Sequence, residues 1–263
     1  MHPVLIQFGR FTIYTYGLFV ALGFLTGIAV ARHEARRLGE QEEKIMDLAF
    51  WVLIGAIVGA RLFYVATVPA TYMKHPLEIL KVWNGGLVFY GGFIVATIAA
   101  FFYMKMHHMA AGRTADIIAP AIAIGHSIGR IGCFFAGCCY GQTCDLPWAV
   151  TFTDAHSLAP TGVPLHPAQL YAVFGNLLIF VFLMMFRPYK RFAGQLFLLY
   201  IMFYGLMRAL IEIFRGDFRG DFIFGILSVS QFIGLSMALI AAVLLVVLLR
   251  RRSSSPQKED EHA

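Results

Sequence analysis

The sequence predicts an all-α protein that crosses a membrane seven times. Three observations carry this. Apolar residues make up 59% of the chain and charged residues only 14%, against about 25% charged in soluble domains. The apolar residues gather into seven runs near the ~20-residue length needed to span hydrocarbon. Lys and Arg are dense in alternate loops and sparse in the others.

The runs occupy residues 12–31, 45–68, 86–106, 115–135, 168–186, 194–214 and 223–249. None shows period-two alternation, so strands are not expected. Only His2 and Arg10 precede the first run, and no small-residue cleavage site follows at short distance, so it reads as a span and not as a signal peptide. The second contains Gly55-x-x-x-Gly59, a helix-packing pattern, and then Arg61. The third opens with Asn84-Gly85-Gly86-Leu87-Val88-Phe89-Tyr90-Gly91-Gly92, where two glycine pairs flank a tyrosine at its mouth. The fourth carries His126 and Arg130 near its end. The fifth opens with His166-Pro167-Ala168-Gln169-Leu170-Tyr171, with Pro167 suited to a first helical turn. The sixth holds Arg208 and Glu212, and the seventh is almost uninterrupted. Residues 1–252 thus read as one transmembrane domain, and the polar tail 253–263 as disordered.

Loop charge predicts orientation. Loop 32–44 carries Arg32, Arg36, Arg37 and Lys44; the next loop on that side has Lys105 and Arg113, the next Arg187, Lys190 and Arg191, and the tail Arg250, Arg251, Arg252 and Lys258. Those 13 face only five on the other side, namely Arg10, Lys74, Lys81, Arg215 and Arg219. The N-terminus is therefore expected outside and the C-terminus in the cytoplasm. The net charge of +6 follows from these flanks. No basic run is interleaved with aromatics, so nucleic acid is not an expected partner.

Three arginines remain inside spans: Arg61, Arg130 and Arg208. An arginine at the bilayer centre costs at least ~2.5–3.5 kcal/mol, so such residues pair or line a polar cavity. Asp47, Asp116 and Glu212 are the candidate partners. Arg208 and Glu212 are spaced i, i+4 on one helix face, as are His126 and Arg130. Gly125, Gly129 and Gly132 surround Arg130, giving close helix approach or backbone access to a ligand. A guanidinium is a planar fork of donors suited to phosphate. Two of them in a water-poor cavity predict a phospholipid headgroup site. The cysteines, Cys133, Cys138, Cys139 and Cys144, do not follow a zinc spacing. Small packing residues or a bridge among the last three are the expected roles, and neither metal nor organic cofactor is expected.

At these clusters the chain closely resembles the prolipoprotein diacylglyceryl transferase family, nearly end to end. The likeness runs through Tyr16-Gly17, Gly59-Ala60-Arg61, Trp83-Asn84-Gly85-Gly86, Asp116-Ile117-Ile118-Ala119-Pro120 and Gly129-Arg130-Ile131-Gly132. It continues through the His166 motif to Tyr204-Gly205-x-x-Arg208-x-x-x-Glu212-x-x-Arg215. The resemblance implies a multi-pass enzyme of the bacterial cytoplasmic membrane. It would move the diacylglyceryl group of phosphatidylglycerol to the lipobox cysteine beside a prolipoprotein signal peptide. Carried over, Tyr16, Arg130 and Arg208 are core site residues, and Asp116, His166 and Glu212 support them. Arg61, His126, Gly129 and Gly132 join them on the substrate side from the residue reading above. The chain departs from the family at three positions. Tyr90 stands where the family usually has a histidine, Cys133 where it has asparagine, and Cys138 where an acid follows glycine. Tyr90, His126 or a base outside these motifs is then the candidate for the histidine's role. Two other readings stand beside the transferase: a paralogue or lipid-binding protein without this acceptor, and a transporter. No internal repeat supports a transporter.

Overall fold

The computed structural model describes residues 2–8, 11–81, 85–217 and 227–253. Seven helices among them are long and apolar enough to cross a membrane. They are α1 (Thr15–Arg37), α2 (Glu42–Thr67), α4 (Phe89–Met106), α5 (Ala111–Ala136), α6 (Ala168–Phe186), α7 (Gln195–Glu212) and α8 (Val229–Ser253). A short α3 (Pro69–Lys74) follows α2. The protein is an all-α polytopic membrane protein, and each span falls on its apolar run. The tail beyond 253 lies outside the described residues, as do Arg10, Trp83, Asn84 and Arg219.

The expectation of no strands was wrong outside the spans. Strands β1 (Val4–Phe8) and β2 (Phe11–Tyr14) form an antiparallel hairpin. The hairpin takes residues 12–14 from the predicted first span, and Thr15 Oγ1 ties it off on the His2 carbonyl at 2.6 Å. Two-residue strands β3 (Val150–Thr151) and β4 (Pro164–Leu165) pair in the connection between α5 and α6. Hydropathy windows of span length average such short segments away.

The chain divides into two compact units. In the unit of residues 32–114, α2 packs on α4 through small residues. A methyl on Gly92 would lie 2.8 Å from the Ala56 carbonyl oxygen, and one on Gly55 3.2 Å from Ala99 Cβ. Glu42 opens α2 and accepts from Arg32 at 3.2 Å and from Arg36, tying the basic end of α1 to the next helix. The Tyr103 hydroxyl donates to Asp47 at 3.3 Å.

In the unit of residues 1–31 and 115–263, the core joins Ala119 and Ala123 of α5, Ile179 and Leu183 of α6, Leu196, Leu199 and Tyr200 of α7, and Leu245 of α8. Glycines set two crossings. A methyl on Gly125 of α5 would lie 3.0 Å from the Gly23 carbonyl oxygen of α1, and one on Gly234 of α8 2.9 Å from that of Gly205 in α7. Small residues let backbones approach where lipid supplies no hydrophobic drive.

Candidate functional site

The site lies wholly in the second of these units, between α5, α6 and α7. One pocket is lined by six polar side chains: His126 and Arg130 from α5, Asn176 from α6, Tyr204 and Arg208 from α7, and Arg215 just beyond it. Arg130 and Arg208, predicted to share a cavity, do so. The guanidinium of Arg215 joins them. It had been counted among loop charges, yet its side chain is only 5% exposed.

Two carboxylates hold these cations. Glu212 pairs with Arg208 one turn earlier on α7 and lies 3.7 Å from Arg215 Nε. Its other oxygen accepts from Ser228 Oγ at 3.1 Å, just before α8. Asp217 takes Arg215 through Nε at 2.9 Å and Nη2 at 2.6 Å. Among the described residues no carboxylate pairs with Arg130. Its Nε–H donates to His126 Nε2 at 3.2 Å, the predicted i, i+4 contact. An arginine only donates, so this nitrogen of His126 carries a lone pair and its proton is on Nδ1. The His126 ring rests against Tyr204 at 5.3 Å. Among the described residues Glu212 and Asp217 answer Arg208 and Arg215, and no carboxylate answers Arg130. A buried positive charge of this kind calls for an anionic ligand.

The wall also carries an unmatched acceptor. Asn176 is fully buried and donates through Nδ2 to the Ala172 carbonyl at 2.7 Å, while its Oδ1 has no partner among the described residues.

A loop ladder positions Arg215. The N–H of Gln142 donates to the Phe214 carbonyl at 2.8 Å, that of Gly216 to Tyr140 at 3.2 Å, and that of His166 to Gln142 at 2.9 Å. Gly141 sits at the meeting point, where a methyl on Gly216 would come within 2.6 Å of its carbonyl oxygen. His166 therefore builds the ladder with its backbone, and its Nδ1 meets the Tyr171 hydroxyl at 3.1 Å. Tyr16 stands in the first turn of α1, and its backbone packs on α5. A methyl on Gly132 would be 3.1 Å from the Tyr16 carbonyl oxygen. A methyl on Gly129 would meet nothing within 4 Å.

Asp116, expected beside the substrate, lies at the other end of α5. Fourteen positions separate it from Arg130, roughly 21 Å along the helix. Its carboxylate, 1% exposed, accepts from the N–H groups of Gly194 at 2.9 Å, Leu196 at 2.8 Å and Phe197 at 3.3 Å, and from Lys190 Nζ at 3.1 Å. It caps α7 from a neighbouring helix, meeting donors that no α7 residue satisfies. Arg61 and Tyr90 belong to the unit of residues 32–114. Four backbone carbonyls absorb Arg61: Ile79 at 2.9 Å, Glu78 at 2.6 Å, Gly85 at 2.7 Å and Gly86 at 3.2 Å. Tyr90 is exposed in the first turn of α4, its ring edge-on to Phe89 at 5.9 Å.

The sequence reading missed Arg215, Tyr204 and Asn176 as site residues. Tyr204 was signalled by its i−4 spacing from Arg208 on one face of α7, whereas Arg215 lies beyond the helix end and is brought in by the loop ladder. Asn176, lone amid an apolar span, was the available signal on α6.

The profile of the prolipoprotein diacylglyceryl transferase family matches residues 3–247. Proteins named phosphatidylglycerol–prolipoprotein diacylglyceryl transferase align along most of their length. That of Clostridium tetani is 36% identical over 240 residues, 91% of this chain and 95% of its own. That of Geobacter sulfurreducens is 36% identical over 252 residues, again 91% and 95%. That of Cupriavidus metallidurans is 36% identical over 253 residues, 92% and 91%. With this coverage, seven spans and a buried arginine pocket on the matching motifs, the chain belongs to the prolipoprotein diacylglyceryl transferase family.

Proposed function

We propose that this protein transfers the diacylglyceryl group of phosphatidylglycerol to the lipobox cysteine of a prolipoprotein, beside its signal peptide, in the bacterial inner membrane. The observation that carries this is the pocket of Arg130, Arg208 and Arg215, in which no carboxylate among the described residues answers Arg130. A thiolate attacks the lipid carbon that bears the phosphate ester. The new bond is C–S, the broken bond C–O, and glycerol phosphate leaves as an anion. Guanidiniums aimed at that phosphate stabilise charge that grows in the transition state, the electrostatic contribution that commonly dominates catalysis. Glu212 orients Arg208 and Arg215, and His126 orients Arg130. His126 then serves as an orienting acceptor, since its Nε2 lone pair is already engaged. Tyr16 is a site residue by the family pattern, and Tyr90 stands where that pattern has a histidine. A phenol hydroxyl can donate a hydrogen bond to the reacting groups. Gly132 lets the Tyr16 backbone of α1 approach α5, and Gly129, next to Arg130 in sequence, leaves open space. Arg61 fixes the loop before α4, His166 the loop before α6 and Asp116 the start of α7, so these three support the site indirectly.

Asn176 Oδ1 is assigned to a hydroxyl of the glycerol headgroup. Asn176→Leu is expected to lower kcat/KM for phosphatidylglycerol about tenfold, the usual cost of one buried hydrogen bond to a substrate. The measurement is initial rate against phosphatidylglycerol concentration, and an unchanged value would remove Asn176 from the headgroup site.

The test of the function is direct. Purified protein, phosphatidylglycerol vesicles and a lipobox peptide should give a peptide heavier by one diacylglyceryl group, with none formed when the cysteine is alkylated. Tyr90, Cys133 and Cys138 favour the second reading, a lipid-binding relative without this acceptor. That reading predicts phosphatidylglycerol binding with no peptide product.

A further inference from the structure

Three of the four cysteines meet. Cys133 in the last turn of α5, and Cys138 and Cys139 in the turn after it, have sulfurs all within 4.8 Å of one another. Each of the four is a free thiol, and Cys144 is not among the three. Spacing along the chain argued against a metal, but the backbone folds that spacing up. After α5 ends at Ala136, Gly137 has φ +75° and Cys139 φ +60°. Two left-handed residues in three reverse the chain, a conformation that costs a non-glycine residue energy and is uncommon for it. The turn brings the Cys138 sulfur to 3.7 Å from the Cys133 carbonyl oxygen. It is clamped by Gln169 Nε2, which donates to the Cys138 carbonyl at 2.8 Å.

A cation stands beside the cluster, since the Arg215 guanidinium acts on Cys139.

We propose that Cys133, Cys138 and Cys139 form a three-thiolate site for a soft divalent ion of the zinc class, with the fourth position left to water or another exogenous ligand. Tetrahedral zinc holds sulfur at about 2.3 Å, which sets sulfurs roughly 3.8 Å apart, a small contraction of the cluster. Binding releases the thiol protons, and a divalent ion with three thiolates carries one net negative charge. Three protein ligands with an open fourth position is the arrangement of catalytic zinc sites, whereas structural sites are closed by four. The proposal does not depend on the transferase activity and has its own readout.

The probe is Co2+ added to the full chain in detergent, reduced, with any affinity tag removed. Visible bands of tetrahedral cobalt and near-ultraviolet sulfur-to-cobalt absorption should saturate at one equivalent and be bleached by Zn2+. Cys133→Ser, Cys138→Ser and Cys139→Ser should each weaken binding at least about tenfold, with Cys144→Ser unchanged. Absence of sulfur-to-cobalt absorption, or an unchanged cobalt affinity in Cys139→Ser, would overturn the site. The unsubstituted chain provides a check that does not depend on any variant folding. Zn2+ should protect Cys133, Cys138 and Cys139 from maleimide while Cys144 labels at the same rate. Equal labelling of all four with and without zinc would refute the proposal.

Discussion

Replacing Arg130 with alanine is expected to slow diacylglyceryl transfer about 10²- to 10³-fold, the usual effect of removing one preorganised donor from a developing anion. Arg130 is chosen over its neighbours for a reason in the geometry. Glu212 and Asp217 answer Arg208 and Arg215, whereas among the described residues Arg130 has only His126. That contact uses Nε, so both terminal nitrogens are left for a phosphate. Arg130→Lys keeps the charge but loses the planar fork, and should fall between alanine and the unsubstituted chain. Arg208→Ala should also lose activity, and it leaves Glu212 to Arg215. The measurement is the initial rate of peptide lipidation, alongside a thermal melt in detergent showing that each variant still folds. A folded Arg130→Ala protein within twofold of the normal rate would contradict the role given to the pocket.

The largest loss of stability should come from the far end of the same helix. Asp116→Ala removes a carboxylate that the amides of Gly194, Leu196 and Phe197 share with Lys190, and leaves a cation and helix-end donors without an acceptor. Breaking a buried charge arrangement of this kind costs about 3–5 kcal/mol. The melt in detergent should shift down accordingly, with Asp116→Asn intermediate because one oxygen still accepts. Activity per folded molecule should be nearly unchanged, since the residue lies roughly 21 Å along α5 from Arg130. A stable Asp116→Ala protein with a specific loss of phosphatidylglycerol affinity would return Asp116 to the substrate site.

These two residues show where sequence reasoning reached and where it stopped. Arg130 with His126, and Arg208 with Glu212, were legible because helical geometry puts i and i+4 side by side whatever surrounds them. Asp116 was not, because its partners are 74 to 81 residues away in sequence. Arg61 shares the rarity of an intramembrane arginine with Arg130, yet carbonyls of the segment before α4 absorb it. Rarity marks a charged residue as needing a partner but does not say which. Arg215 was misplaced by the opposite error. Counting Lys and Arg by loop treats a residue beyond a span as wet, and a ladder of backbone hydrogen bonds buries this one.

Hydropathy is a sum over neighbours in the chain, so the seven spans and the arginines within them follow from amino-acid order alone. Local spacing adds the helix-face pairs. Which of those groups share one cavity depends on how helices cross and how loops fold back, and these are settled by packing between distant segments. Only the folded molecule therefore gathers Arg215, Tyr204 and Asn176 around Arg130 and Arg208, sends Asp116 to cap α7, and closes Cys133, Cys138 and Cys139 into one group.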